Sequence, residues 1–384
     1  MSSKPRILLL SGYDAASHRH WRNVLVGGLS QYHWTEVALP DRYFAWRVRG
    51  NALTFAHLHK EILGQSYDCL IATSMVDLAT LRGFMPQLAS IPNILYFHEN
   101  QFEYPIAPTV DDLKNIVGAQ LTSIYALLCA DQVLFNSEFN QKTFFSGAQQ
   151  LLKKLPDGIP KKLLNDIESQ TQVLPVPICS TNDSQDASLS HTNQPIEIVW
   201  NHRWEYDKQP EVFFDAMKQL KHSGFKFKMH VVGQSFRQKP DCFDSAQIYF
   251  FDEISTWGYQ SKQNYQEILT RADVVISTAA HDFQGLSMLE AIACDCVPIA
   301  PNRVAYPEYI RHENLYKVGD QIDEANSVFE KIIDVHHRLQ NISETEKSKQ
   351  IQQQKINGYF DKHLLIKYAQ TISSVIEQYR KQPH

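Results

Sequence analysis

A loop and the apolar segment after it carry the residues most suited to chemistry. Asp282 and Glu290 are separated by seven residues, with Gly285 between them, in HDFQGLSMLEA after the apolar run DVVIST. Gly285 would let the backbone approach a ligand, and the following amides would point their N–H groups at it. The alternative to ligand binding is that these residues only cap a helix and bury one glutamate. Because carboxylates accept hydrogen bonds well from groups with several hydroxyls, the two acids are candidates to hold a sugar and a ribose.

A pair of cations five residues apart is the second candidate. Arg203 and Lys208 lie in NHRWEYDK, after the apolar run IEIVW. A bidentate arginine and a point-charge lysine can stabilise the negative charge that develops on a diphosphate leaving group, without a metal ion. Isolated pairs of this kind are usually solvated, but a place at the carboxyl end of a strand favours ligand binding. No DxD motif is present, and Cys294 and Cys296 have no clustered ligands beside them, so we predict no metal site.

Composition excludes several classes of protein. Of the 384 residues, 43% are hydrophobic and 21% are charged, which excludes a disordered or fibrous chain. A formal net charge of −5 excludes a globally basic nucleic-acid coat, although a local basic face stays open. Six scattered cysteines without a CxxC pair, and the lack of a long apolar stretch, predict a soluble cytoplasmic protein with reduced thiols.

Short apolar runs alternate with helix-length segments, which is typical of parallel sheets. The predicted strands form two series, 7–10, 68–73, 93–98 and 131–136, then 196–201, 226–233, 248–252, 273–278 and 297–301. Segments 209–222 and 261–271 are predicted helices between strands of the second series.

This pattern predicts an α/β protein with two doubly wound Rossmann-like domains that face a cleft. We place an N-terminal acceptor-side domain at 1–180, a polar linker at 181–195, a donor domain at 196–345 and a C-terminal helical tail at 346–384. A nucleotide ligand is expected at the carboxyl ends of the strands. The single Gly12 after the first strand and the lack of a GKS or GKT motif weaken dinucleotide and P-loop alternatives.

The motifs around these residues resemble the retaining GT-B glycosyltransferases with an E-x7-E motif, with Asp282 in place of the first glutamate. The stretches IVWNHRWEYDKQPEVFF, LYFHENQFEYP and RYFAWRVRG narrow the resemblance to the branch associated with mannosylation of queuosine in tRNA. The resemblance covers about residues 5–310, in several separate blocks, and the tail lies outside it. The resemblance implies a metal-independent hexosyltransferase that uses GDP-mannose as a co-substrate, has no other cofactor, and acts on queuosine in the anticodon loop without stable membrane association.

The resemblance also implies roles for individual residues. His98 would contact hydroxyls of the transferred sugar and Asp282 would be the second catalytic residue, although a histidine after an apolar strand is usually a hydrogen-bonded core group. A side chain at position 233 would block a ligand at the strand tip. Retention of configuration would come from front-face attack, with the leaving phosphate oxygen taking the acceptor's proton. The predicted donor-binding residues are Arg203, Lys208, Gly233, Tyr259, Ser261, Phe283, Gly285, Leu286, Ser287 and Glu290.

The acceptor side is predicted in the N-terminal domain. The first sixty residues contain eight lysines and arginines against three acids, with tyrosines and tryptophans interleaved. Arginine beside exposed aromatic side chains holds RNA phosphates and stacks unpaired bases. The alternative is that the aromatic residues are core and the arginines a solvated face. The predicted acceptor-binding residues are Gly12, Ser17, His18, Trp21, Arg42, Arg47, Arg49, Glu99 and Asn100.

Two other functions stay open on the sequence. The same reaction could use another sugar nucleotide, or a lipid or polysaccharide acceptor, but no convincing amphipathic membrane helix is present in the first domain. A non-catalytic protein that binds RNA or nucleotide sugars is the other alternative, and only the shorter Asp282 carboxylate favours it.

Overall fold

The chain divides into two compact units. Unit 1 comprises Met1–Pro177 and Asp361–His384, and unit 2 comprises Ile178–Phe360. The structure is a computed structural model that describes residues 4–103, 110–156, 160, 162–179, 195–236 and 239–381.

Unit 1 contains a six-stranded parallel sheet in the order β2-β1-β3-β4-β5-β6. β3 and β4 are buried along their whole length, because helices cover both faces of a parallel sheet. The strands are β1 (Arg6–Ser11), β2 (His33–Ala38), β3 (Cys69–Thr73), β4 (Asn93–Phe97), β5 (Gln132–Phe135) and β6 (Gln172–Val173).

The helices of unit 1 include one from the far end of the chain. Its N-terminal part contains α1 (Ala16–Gly28), α2 (Phe44–Leu58), α3 (Lys60–Leu63), α4 (Leu78–Phe84), a 3-10 helix (Pro86–Ser90), α5 (Val110–Leu128), α6 (Glu138–Leu152) and α7 (Leu163–Glu168). The C-terminal helix, which we number α15 (Asp361–Lys381), belongs to this unit and packs near α1.

Unit 2 contains a second six-stranded parallel sheet, in the order β12-β11-β10-β7-β8-β9. Alternate residues of the central strand β7 enter two cores: Ile198 and Trp200 pack in one, and Val199 packs in the other. Both faces of the sheet are therefore buried. The strands are β7 (Ile196–Trp200), β8 (Phe227–Val232), β9 (Ile254–Gly258), β10 (Val274–Ile276), β11 (Val297–Pro301) and β12 (Leu315–Tyr316).

The helices of unit 2 connect these strands. Pro210 occupies the first turn of α8, where its missing N–H and fixed φ are tolerated. The helices are α8 (Pro210–His222), α9 (Cys242–Tyr249), α10 (Lys262–Arg271), α11 (Leu286–Ala293), α12 (Tyr306–Tyr309), α13 (Gln321–Leu339) and α14 (Ile342–Ile356), with 3-10 helices at Tyr206–Lys208, His312–Asn314 and Asn357–Tyr359.

The two predicted Rossmann-like sheets are confirmed, but one predicted strand is wrong. Residues 248–252 form the end of α9 and the turn that follows it. The strand, β9, comes after them at Ile254–Gly258. The run IYFFD resembles a strand in sequence, but its apolar residues are not all buried. Phe250 is buried, whereas Ile248 and Phe251 are among the most exposed large hydrophobic residues of the described chain.

The C-terminal segment does not form one separate tail. α14 is part of unit 2 and α15 is part of unit 1, so the segment predicted at 346–384 divides at Phe360. Of the predicted linker at 181–195, residues 181–194 lie outside the described part of the chain. None of the helices in the described ranges combines the length and apolar character needed to cross a membrane.

Candidate functional site

In unit 2, two loops that follow neighbouring central strands are joined by hydrogen bonds. The loop after β7 leads to Lys208, and the loop after β10 leads to Asp282 and Gly285. The Thr278 hydroxyl donates to the Lys208 carbonyl over 2.7 Å. The Ala280 N–H donates to the Asp207 carbonyl over 2.8 Å. Because β7 and β10 are adjacent, the fold brings both predicted motifs to one edge of the sheet.

Lys208 is the buried cation of this edge. Its Nζ lies 3.2 Å from Asp207 Oδ2 and 3.9 Å from Asp282 Oδ2, and it donates to the His281 carbonyl over 2.5 Å. Charged side chains are rarely buried without partners, so these three acceptors account for its position. The ammonium lies where it can also attract an added anion.

Asp282 is held by three neighbours. Its Oδ1 accepts from the Gly285 N–H over 2.8 Å, and its Oδ2 accepts from the Tyr306 hydroxyl over 3.1 Å. Burial acts to raise the pKa of Asp282, but the Lys208 ammonium is the main influence that outweighs it and holds the pKa below its ordinary value. The group is therefore a carboxylate at neutral pH, able to accept hydrogen bonds from a hydroxyl-rich ligand.

His202 belongs to this cluster, although sequence reasoning missed it. It is buried after β7, and its Nε2 has no hydrogen-bond partner in the described chain. Burial, and then Lys208, lower the pKa of His202 to about 3, so the imidazole is neutral. A signal was available, because His202 precedes Arg203 in NHRWEYDK at the carboxyl end of the same predicted strand.

Glu290 lies within α11 and is linked to the loop after β7. The Tyr265 hydroxyl donates to Glu290 Oε2 over 3.1 Å, and Asn201 Nδ2 donates both to that hydroxyl and to the Ser287 carbonyl. Burial, and then Glu290, raise the pKa of Tyr265 well above its ordinary value, so it stays a neutral donor. Tyr265 was not predicted, since nothing in its local sequence distinguishes it from any other tyrosine on a helix.

The two predicted ligand-facing glycines face the protein itself, which corrects the predicted reason for them. A Cβ at position 233 would lie 1.8 Å from the His202 carbonyl oxygen. Gly285 has a φ of +76°, and a Cβ there would lie 2.4 Å from the Tyr309 hydroxyl. Glycine is therefore required at both positions by the packing of neighbouring loops, whether or not a ligand is bound.

Other predicted donor residues are placed less closely. Arg203 is exposed and forms an ion pair with Glu205 over 2.8 Å, so it is not part of the Lys208 cluster. Ser261 caps α10 by accepting from the Asn264 N–H, and Tyr259 beside it is exposed. Phe283 is buried and Leu286 half-buried, where they flank Gly285. The structure thus brings together Lys208, Asp282 and Gly285, together with the unpredicted His202.

In unit 1, His98 directly follows the last residue of β4, and its side chain is buried. Its ring stacks on His18 with centroids 3.9 Å apart, and neither ring nitrogen has a hydrogen-bond partner in the described residues. Burial, followed by His18 and His20, holds the pKa of His98 well below its ordinary value. His98 is therefore a neutral imidazole, and both of its ring nitrogens are buried.

Five of the predicted acceptor residues are buried, namely Gly12, His18, Trp21, Arg47 and Asn100. For Trp21 and Asn100, whose polar groups are all used within unit 1, the prediction is wrong. Trp21 is buried, stacks on Tyr96 and donates through Nε1 to the Tyr368 hydroxyl over 2.9 Å, so it cannot stack a base. The Asn100 amide is also buried, and it donates to Asn140 and Thr143 and accepts from backbone N–H groups at 102 and 103. Both side chains build the fold of unit 1.

The remaining acceptor predictions lie at the carboxyl edge of β1 and β4. Glu99 Oε2 lies 2.9 Å from His18 Nε2, which fixes the ring that stacks on His98. The Gly12 N–H donates to Thr73 Oγ1, and Ser17 is half-buried on α1. Of the predicted acceptor residues, His18 therefore contacts His98 directly, and Glu99 contacts His18.

The basic residues of the first sixty divide into paired and unpaired groups. Arg19 and Arg22 form ion pairs with Asp14, and Arg22 pairs with Glu36 as well. Arg42, Arg47 and Arg49, which lie on or beside α2, have no carboxylate within ion-pair distance in the described residues. Of these three, Arg47 is buried, whereas Arg42 and Arg49 are exposed.

Two parallel-sheet units of the Rossmann type, the second with a buried cation and carboxylate at its ligand-binding edge, define a GT-B glycosyltransferase. The family model for the N-terminal part of tRNA-queuosine alpha-mannosyltransferases matches residues 6–178, and the model for glycosyl transferases group 1 matches residues 181–349. The tRNA-queuosine alpha-mannosyltransferase of Drosophila melanogaster is 35% identical over 327 residues, which cover 83% of this chain and 85% of the relative. The chain belongs to the tRNA-queuosine alpha-mannosyltransferase family.

Solved structures with the same fold are more distant in sequence. A glycosyltransferase from Rickettsia africae has a TM-score of 0.66 at 14% identity, with 98% of this chain and 99% of that chain covered. The Anabaena protein HepE, solved with UDP and glucose, has a TM-score of 0.64 at 15% identity, with 96% and 100% covered. At this identity the likeness shows the fold alone.

Proposed function

We propose that this chain transfers mannose from GDP-mannose to the cyclopentene hydroxyl of queuosine in tRNA, in the cytoplasm and with retention of configuration. The name of the Drosophila relative supports the sugar and the acceptor. The geometric observation that carries the proposal is the buried Lys208 ammonium beside the Asp282 carboxylate at the carboxyl edge of the second sheet. A cation beside a carboxylate suits a ligand that has both a diphosphate and sugar hydroxyls.

The reaction requires one bond to be exchanged on one face of the sugar. The bond between mannose C1 and the β-phosphate oxygen breaks, and a bond forms between C1 and the queuosine oxygen. The acceptor proton passes to the departing phosphate oxygen. The enzyme then mainly positions the two substrates and stabilises charge on the diphosphate.

Lys208 and Arg203 are the residues we assign to that charge. Lys208 is fixed by its neighbours, so its field needs no rearrangement when the bond breaks. Arg203 is exposed and can exchange Glu205 for a phosphate, which it can bind through two N–H groups. We therefore propose that the reaction needs no divalent metal, and that transfer persists in EDTA.

The hydroxyl-rich parts of the donor are assigned to carboxylates and to a neutral imidazole. Asp282 would accept hydrogen bonds from the sugar, and Glu290, which already accepts from Tyr265, would accept from ribose hydroxyls. His98 would contact hydroxyls of the transferred mannose. The pKa of His98 lies well below its ordinary value, so it would act as a neutral hydrogen-bonding group and not as a cation.

The experiment that tests the proposal replaces Lys208 by methionine, Lys208→Met, and measures transfer of labelled mannose to queuosine-containing tRNA. We expect kcat to fall by at least about a hundredfold, the loss typical of one preorganised donor to a developing oxyanion. The matched control is Lys218→Met, because Lys218 is a half-exposed lysine of α8 that pairs only with Asp215 in the described chain. A folded Lys208→Met variant with wild-type turnover would contradict the assignment.

A further inference from the structure

The exposed side of α2 carries two aromatic side chains that no described element covers. Tyr43 is 74% exposed and Trp46 is 58% exposed, at the start of a helix in unit 1 whose core lies on its other side. Single exposed aromatic residues are common on protein surfaces, but here two lie three positions apart among basic residues, which suits an interaction site. We name Tyr43, Trp46, Arg42 and Arg49 the α2 face.

The indole of Trp46 lies flat on the helix that carries it. A Cβ at Gly50 would lie 2.5 Å from Trp46 Cε2, so the ring occupies the space that any larger residue at position 50 would fill. Residues four apart share one side of a helix, and Gly50 is the residue one turn along from Trp46. One side of the ring is therefore supported by backbone, while much of the ring is left open to a ligand.

The charge in the sequence after these rings is positive, although Asp41 directly precedes Arg42. Residues 42–60 contain three arginines, one lysine and two histidines, and no acidic residue. The Arg42 guanidinium carbon lies 5.8 Å from the centre of the Tyr43 ring. The Arg49 side chain packs against α5, because a Cβ built on Gly118 of that helix would lie 2.4 Å from Arg49 Nη1. Neither arginine has a carboxylate partner in the described residues, in contrast to Arg22.

We propose that the α2 face binds unpaired nucleotides of an RNA loop, with Trp46 and Tyr43 stacking on bases and Arg42 and Arg49 contacting phosphates. The proposal rests on the proposed function, which supplies an RNA substrate, and it names the surface that would hold it. Stacking on aromatic rings requires splayed bases, whereas phosphate contacts are available in any RNA. Substitutions of the aromatic residues and substitutions of the arginines should therefore change RNA binding in different ways.

The first test compares a labelled tRNA anticodon stem-loop with a blunt-ended, fully paired RNA duplex of the same number of nucleotides, by fluorescence anisotropy without donor. Trp46→Ala should weaken binding of the stem-loop at least about fivefold and leave binding of the duplex unchanged. Trp46→Phe should restore most of the affinity. Phe251→Ala, which removes an 80% exposed aromatic residue from unit 2, is the matched control and should change neither affinity.

Gly50→Ala tests the same surface without removing the ring. Alanine favours the helix, so the substitution should not destabilise α2 by itself. Its Cβ would displace the indole, and we expect a loss of stem-loop affinity in the same direction as for Trp46→Ala. Unchanged affinity in both variants would overturn the stacking role of Trp46.

The arginines are tested through salt dependence. For Arg42→Ala with Arg49→Ala, the slope of log affinity against log salt should become shallower for both RNAs, by about one for each phosphate that the protein no longer binds. An unchanged slope would overturn the assignment of these arginines to phosphates.

Two outcomes separate this inference from the proposed function. A wild-type protein that transfers mannose to tRNA, while Trp46→Ala binds the stem-loop normally, would overturn the α2 face and leave the function intact. Trp46-dependent binding of the stem-loop without any mannose transfer would support the face and count against the function. Concentration-dependent dimers that Trp46→Ala abolishes would make this face a self-association surface and overturn the inference.

Discussion

At the scale of single residues, two buried histidines are held in the neutral form. Burial, and then Lys208, lower the pKa of His202 to about 3, while burial, and then His18 and His20, hold the pKa of His98 well below its ordinary value. In the unfolded chain both groups would take up a proton near pH 6.5. The unfolded state therefore binds more protons than the native state below that pH, and it gains stability relative to the native state as the pH falls.

This linkage predicts a specific pH dependence of stability. The free energy of unfolding should decrease steadily from about pH 6.5 towards about pH 4, where carboxylates such as Asp282 are still ionised. His98→Asn removes one of the two titrating groups, so its free energy of unfolding should fall less steeply over the same range. Urea denaturation at a series of pH values measures both slopes.

The control for that measurement is His33→Asn, because His33 is exposed on the edge strand β2. His33→Asn should keep the wild-type slope. A His98→Asn variant with the wild-type slope would show that His98 is charged in the native protein.

The sequence was a good guide to residues that could be singled out by their chemical type and their position after a strand. Lys208, Asp282 and Gly285 come together as their spacing after two strands predicts. Trp21 and Asn100 were misassigned because sequence gives the type of a side chain but not which side of its element is buried. That depends on partners such as Tyr368, which lies more than three hundred positions away in the chain.

At the scale of elements, one buried ion pair holds the loop that leads to Asp282. Arg303 pairs with Glu324 of α13 through both carboxylate oxygens, at 2.6 and 3.0 Å. The same guanidinium donates to the carbonyls of Thr278 and Ala279, directly after β10. α13 is thereby connected to the loop between β10 and α11, although α13 has no residue of its own in the candidate site.

Removal of that carboxylate should be costly. Glu324→Ala leaves a largely buried guanidinium without its counter-charge, and we expect the free energy of unfolding to fall by about 3–5 kcal/mol. Glu330→Ala, an exposed position of the same helix, should change it by no more than about 0.5 kcal/mol. Urea denaturation of both variants makes the comparison, and equal stabilities would refute the role of the pair.

The C-terminal helix supports His98 through two aromatic residues. The Tyr368 hydroxyl of α15 accepts from Trp21 Nε1 and lies 3.1 Å from the Leu174 carbonyl. Trp21 in turn meets the His98 ring edge to face, with centroids 5.0 Å apart. The last helix of the chain thus helps to position a residue that follows β4.

Tyr368→Phe should therefore affect both stability and turnover. Loss of the hydroxyl leaves the buried Trp21 N–H unpaired, which costs about 1–3 kcal/mol. Because His98 is assigned to the mannose hydroxyls and the unit 2 site would not move, we expect kcat/KM for GDP-mannose to fall while the affinity for GDP alone stays near its wild-type value.

Tyr125→Phe is the matched control for that variant, since Tyr125 is half-exposed in α5. It should match the wild type in both measurements. If Tyr368→Phe weakened the binding of GDP alone as much as it lowered kcat/KM for GDP-mannose, α15 would not act through His98.

At the scale of the whole molecule, the central strands were predictable and the sheet edges were not. β3, β4 and β7 are nearly continuous apolar runs because parallel strands are buried on both faces. β2 and β9 are edge strands with mixed burial, so HWTEVA and ISTWG lack that signal. The return of α15 to unit 1 could not be predicted, since an amphipathic helix does not specify which core it covers.

The most direct test of the central claim is the identity of the nucleoside produced. Purified protein would be incubated with GDP-mannose and with tRNA that contains or lacks queuosine, and the digested nucleosides analysed by mass spectrometry before and after α-mannosidase. We predict that queuosine gains one hexose, that α-mannosidase removes it, and that tRNA without queuosine is unmodified. A hexose on tRNA that lacks queuosine, or no hexose on either tRNA with folded protein, would contradict the account.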